Sequence, residues 1–195
     1  MKQRTAITFT AALLGLCLWS LTALSADDDE KKAAQKALLQ LVDTMDKGGD
    51  VKAQIAAITK KYDELEALMW VYKPRNKKGI GMGKAGADDI ELTLGKIGNP
   101  KGKNKLNAKK LADWKEDLIL AGKLSKAIAQ ITEQDKYTQQ QGKKDPTKWK
   151  GYTKDMKKSA DELIKAVKGG NVKDVQEAAN NLSGSCTSCH SDFRE

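Results

Sequence analysis

The chain has 195 residues, 31% of them charged and 5% aromatic, and carries a formal net charge of +9. That length suits one domain, and lysines are spread along every segment with no aromatic-basic platform, which argues against nucleic-acid recognition. A solvated, soluble surface is the plain reading of the charge, and steering toward an acidic partner is the functional one.

Lys2 and Arg4 precede an apolar run over 6–24, which ends in the small-x-small site Ala23-Leu24-Ser25 just before Asp27-Asp28-Asp29. This is the pattern of a secretory signal peptide spanning 1–25 and cut after Ser25. The alternative is a retained anchor, because the run approaches the roughly 20 residues of a spanning helix. Leu16 stands where a lipoprotein signal wants a small residue, so Cys17 is expected to leave with the signal. Removing Lys2 and Arg4 lowers the net charge from +9 to +7. The remainder, 26–195, holds no second apolar stretch long enough to cross a bilayer, so no stable membrane insertion is expected after cleavage.

Over 31–46, Ala34, Leu38, Leu41 and Met45 recur on one helical face. Gly48 and Gly49 stop that helix, and Asp50 is a good cap for the next. Over 51–72, Val51, Ile55, Ile58, Tyr62, Leu65, Met69 and Tyr72 alternate spacings of four and three, which predicts one bundle helix. Pro74 closes it. The stretch 73–105 turns to glycine, lysine and asparagine and reads as a long irregular insertion with a short amphipathic piece over 88–96. Gly81-Met82-Gly83-Lys84-Ala85-Gly86 matches a dinucleotide-binding glycine pattern by letter, but no strand-helix-strand unit surrounds it.

A third helix is expected over 107–132, with Leu111, Trp114, Leu118, Ala121, Ile128 and Ile131 inward. Asp145-Pro146-Thr147 opens a fourth, proline being tolerated in a first turn. Trp149, Tyr152, Met156, Ala160, Leu163 and Val167 face inward there. After Gly169-Gly170, a last helix sets Val172, Val175, Ala178 or Ala179, Leu182, Cys186, Cys189 and Phe193 along one stripe. Nothing reads as a strand. The expected fold is therefore all-helical, with amphipathic faces packed against each other.

Beyond the signal, the only cysteines are Cys186 and Cys189 and the only histidine is His190. Cys-Thr-Ser-Cys-His in an exported chain reads as a covalent haem attachment site: two thiols for the haem vinyl groups and an imidazole for the iron. Helical spacing brings all three side chains toward one macrocycle. The competing readings are a dithiol redox pair, a partial zinc site and an accidental cluster. Zinc wants about four ligands, and a thioredoxin-like pair belongs beside a strand-helix-strand unit. With its one histidine assigned to iron, the chain offers no histidine-assisted nucleophile, so it is not expected to be an enzyme.

A haem motif on the last helix of a small exported helical chain resembles the class II c-type cytochromes, the cytochrome c′ family. The resemblance is closest over 145–195: aspartate-proline and Trp149 open the penultimate helix, a glycine hairpin follows, and the chain ends Cys-Thr-Ser-Cys-His-Ser-Asp-Phe-Arg. It implies an antiparallel four-helix bundle carrying one covalently attached haem c per chain, here with an extra N-terminal helix and a long glycine/lysine-rich loop. The third helix and the 51–72 helix would correspond to the second and first family helices. The resemblance further implies that Cys186 and Cys189 bond the haem, that His190 is the proximal iron ligand, and that Arg194 lies near the proximal face or a propionate. Phe193 would pack on the haem. Two roles stay open. With Met69 as distal ligand the protein is a periplasmic one-electron carrier serving a redox partner protein. With an apolar distal residue it is a five-coordinate binder or sensor of nitric oxide or carbon monoxide. The resemblance also implies a homodimer, although the extra helix and the loop stand where they could replace that contact.

Overall fold

The computed structural model describes residues 14–99, 106–139 and 144–193, with side chains from 27 onward. Among the described residues the regular structure is helical, apart from one isolated antiparallel bridge between Met82 and Asp88.

Helix α1 spans Leu14–Lys47, so it starts well before the expected boundary at residue 31 and runs through the expected cleavage point at Ser25. The first thirteen residues and the Cys17 side chain lie outside the described residues. Its end agrees with the sequence: Gly48 takes a left-handed φ of 70°, the conformation that suits glycine after a helix. Ala34, Leu38 and Leu41 are fully buried on one face.

Helix α2, Val51–Lys61, begins where Asp50 accepts the Ala53 N–H at 2.9 Å. The single helix expected over 51–72 does not form. Tyr62 turns to extended backbone, φ −106° and ψ 114°. The helix resumes as α3, Glu66–Met69, and tightens into a 3-10 turn over Trp70–Tyr72. The cause is tertiary. The Tyr62 carbonyl accepts the Tyr137 hydroxyl at 2.7 Å and the Lys136 ammonium at 3.0 Å, both from α6, Asp135–Gln139. Propensity and periodicity yield to such contacts. The apolar spacing holds as burial at Ile55, Ile58, Tyr62 and Tyr72; beyond the break Leu68 and Val71, which lie outside that spacing, are enclosed, while Leu65 and Met69 are half-buried.

Within the stretch 73–105, the amphipathic piece expected over 88–96 forms α4, Ile90–Gly98, whose start is capped by Asp89 accepting the Leu92 N–H at 3.1 Å. Ile90, Leu94 and Ile97 are buried. The glycine pattern just before it makes a tight loop closed by the chain itself, because the Gly83 N–H donates to the Asp117 carboxylate at 2.8 Å. A Cβ at Gly81, where φ is 65°, would stand 2.1 Å from the Gly86 carbonyl oxygen. The glycines are thus explained by close backbone approach.

Three long helices complete the chain: α5, Ala108–Thr132; α7, Pro146–Gly169; and α8, Val172–Phe193. Asn107 caps α5 by accepting the Lys110 N–H, and Asp145 caps α7 by accepting the Thr147 N–H, each at 2.8 Å. Gly170 turns α7 into α8 with a φ of 75°. α5 packs on α7, α7 on α8, and α8 on α4. The segment 66–73 ties the ends of this series together. Tyr72 donates to Ser125 Oγ of α5 at 3.0 Å, and Lys73 pairs with Asp89 beside α4 at 3.2 Å. α1 packs against α5, α2 and α3. The result is an all-α bundle in which a short α4 takes a place the sequence reading had given to 51–72.

The α4–α8 crossing is close because α4 presents glycine there. A Cβ on Gly98 would lie 2.6 Å from Asn180 Cα, and one on Gly95 would lie 3.1 Å from Ser183 Oγ. Rising numbers on α4 meet falling numbers on α8, so the two helices run antiparallel.

Candidate functional site

The apolar stripe of α8 changes character along its length. Val175, Ala179 and Leu182 are fully buried, whereas Cys186, Cys189, His190 and Phe193 are half-buried and line a cavity of about 550 Å³. That volume falls in the usual range for a small-molecule or cofactor site. The remaining walls come from separate elements: Leu65, Met69, Trp70 and Tyr72 from the segment after α2, Glu91 and Leu94 from α4, and Trp149 and Met156 from α7.

The foot of α8 is held by α7. Phe193 meets the Trp149 ring edge-on at 5.0 Å and the Tyr152 ring at 6.1 Å, geometries that aromatic quadrupoles favour. Asp192 accepts the Tyr152 hydroxyl at 2.9 Å and pairs with Lys148 at 3.2 Å. These two partners hold its carboxyl below the usual carboxylate range. Trp149 in turn donates its indole N–H to the Thr132 carbonyl of α5 at 2.8 Å. Phe193 is therefore both cavity wall and packing residue.

Cys186 and Cys189 are not bonded to each other. Burial pushes the Cys186 thiol up to about 12, with Glu91 and Cys189 adding to the effect, and burial also raises Cys189. A dithiol reductant needs the opposite, a thiol pulled down by positive surroundings. Among the described residues no group of three or more His, Cys, Asp or Glu could hold a bare metal ion. The donor set suits haem: two thiols and one imidazole on one helix border a single cavity whose other walls are largely apolar and aromatic.

The histidine has a neighbour that sequence reasoning missed. His190 Nδ1 lies 3.4 Å from Glu91 Oε1. Glu91 is in the first turn of α4, and its relation to His190 depends on the α4–α8 crossing. The spacing of Glu91 with Leu94, Gly95 and Gly98 is the one signal that could have shown it. Met156, read only as a core residue, also borders the cavity and gives it a second thioether. Met69, the expected distal ligand, borders it with Leu65, whereas Leu68 is fully buried in the core. Arg194 lies outside the described residues.

No curated protein and no solved structure matches the chain. A family model described as Cytochrome C' matches residues 83–194, which includes α4, α5, α7 and α8 and leaves out the 51–72 stretch. Among the described residues no helix is long and apolar enough to cross a membrane. With more than half of its 195 residues inside that match, the chain belongs to the cytochrome c′ family of haem-binding c-type cytochromes.

Proposed function

We propose that this protein is a periplasmic monohaem carrier of single electrons, not an enzyme, with its haem covalently held on α8. A bound haem supplies the one-electron iron couple. Cys186 and Cys189 would hold the haem through thioether links to its two vinyl groups. His190 would supply the proximal imidazole to the iron, and Met69 the distal thioether. Leu94, Trp149 and Phe193 keep water from the macrocycle, which helps set the potential. The observation that supports this reading is the meeting of Cys186, Cys189, His190 and Met69 around one cavity, the methionine coming from an element other than α8.

The partner in this proposal is an acidic redox protein. Lys73 borders the cavity, Lys148 stands beside Asp192, and Lys144 lies 5.9 Å from the Phe193 ring. The association rate should then fall as salt rises.

A second reading, a five-coordinate binder of nitric oxide or carbon monoxide, is favoured by Leu65 and Leu94, apolar neighbours of Met69 in the same lining. Absorption spectra of the ferric and ferrous protein, with and without carbon monoxide, separate the two. Low-spin iron that ignores the gas in the wild type, and becomes high-spin in Met69→Leu, is the expected result. High-spin iron with ready carbon monoxide binding in the wild type would overturn the carrier assignment.

A further inference from the structure

We propose that Glu91 is a positioning residue for the axial histidine, its carboxylate accepting a hydrogen bond from the Nδ1–H of His190 so that Nε2 is the nitrogen presented to the iron. This rests on the haem reading above. The contact is Glu91 Oε1 to His190 Nδ1, 3.4 Å, and it joins two different helices. Three features show it to be built into the fold. Glu91 shares one face of α4 with Leu94, Gly95 and Gly98, the face that meets α8. Gly95 and Gly98 let that face approach until a Cβ would collide with Asn180. Asp89 caps the helix start, and its own pairing with Lys73 fixes the first turn in which Glu91 lies.

The chemistry is that of an outer-shell partner. A ligating histidine commonly gives its second ring N–H to a carboxylate, which fixes the tautomer and ring orientation and raises the basicity of the ligating nitrogen. A more basic axial nitrogen favours the ferric state. Glu91 therefore lowers the reduction potential and strengthens the iron–histidine bond. Glu91 would act on the iron only through His190, so its effect can be read separately from the choice of distal residue.

The test uses the exported haem-loaded protein and two variants. Glu91→Gln keeps the size and an acceptor oxygen but loses the charge, and Glu91→Ala removes both. In each, the reduction potential is measured beside the thermal midpoint, and the iron–histidine stretching band of the ferrous protein is measured with Met69→Leu added to wild type and both variants, since that change is expected to leave the iron high-spin. The expected result is a graded series: the potential rises and the stretching frequency falls from wild type to Gln to Ala. A lowered thermal midpoint with potential and stretching band unmoved would reduce Glu91 to a structural role and overturn the proposal. Wild-type protein that carries no haem by absorption and intact mass would instead overturn the function reading on which it rests.

Discussion

The cavity has two walls made in opposite ways. α8 is one unbroken helix, seated by the buried row Val175, Ala179 and Leu182 and pinned at its foot by Phe193 and Asp192 against α7. The wall that runs from Tyr62 to Lys73 is broken twice and owes its shape to distant partners: Tyr137 and Lys136 on the Tyr62 carbonyl, Ser125 on Tyr72, Asp89 on Lys73. One wall follows from a local repeat, the other from long-range hydrogen bonds. The difference suggests a division of labour in which the attachment side is rigid and the opposite side can be altered independently.

The largest expected effect lies on the rigid wall. Exchanging both thiols, Cys186→Ser with Cys189→Ser, should abolish covalent attachment altogether, so that acidified solvent extracts any remaining haem and the denatured polypeptide keeps no haem absorption. Covalent haem persisting in the double variant would break the assignment of the α8 wall.

A smaller contrast compares the walls by stability. Leu182→Ala removes a fully buried side chain between α8 and its neighbours and should cost about 2–5 kcal/mol. Tyr137→Phe removes one hydrogen bond to the Tyr62 carbonyl, which keeps Lys136 as a partner, and should cost about 1 kcal/mol. Denaturant titration gives both numbers. The Tyr137 variant should nevertheless shift the haem spectrum more than the Leu182 variant, because it loosens the wall that carries Met69.

The smallest expected effect is a pH dependence confined to the broken wall. A hydrogen bond and the charge of Lys136 hold the Asp63 carboxyl below its ordinary 3.8. A depressed carboxyl stabilises the fold above its unfolded value, and this stabilisation is lost as pH falls through the lower folded value. Asp63→Asn should therefore lower the thermal midpoint slightly at neutrality, where this stabilisation is present, and flatten the small further loss below about pH 4, as thermal midpoints across that range would show. Asp63 is largely exposed, so the difference should be slight.

What was legible in the sequence follows the same division. The cap at Asp50, the helix starts near 107 and 145, the turn at Gly170 and the buried row of α8 are local signals, and the structure has them where the residues put them. The break at Tyr62 was not legible, because its cause is Lys136 and Tyr137, more than seventy residues away. The apolar spacing over 51–72 marked the buried residues as far as Tyr62 and failed after it, where Leu68 and Val71 are enclosed in place of Leu65 and Met69, and it gave no sign of where the helix stops. α4 was partly legible as an amphipathic piece over 88–96, but its place in the bundle was hidden by the glycines around it. Glycine signals loops and close crossings alike, and only the neighbouring Asn180 shows which applies.

Those glycines have one more consequence. Gly98 carries no chemistry of its own, yet its missing methyl group sets how far α4 stands from α8 and hence how far Glu91 stands from His190. It works as a spacer gauge. A substitution there would force the two backbones apart and, on the proposed function, would be read in the colour and the voltage of the protein as well as in its stability.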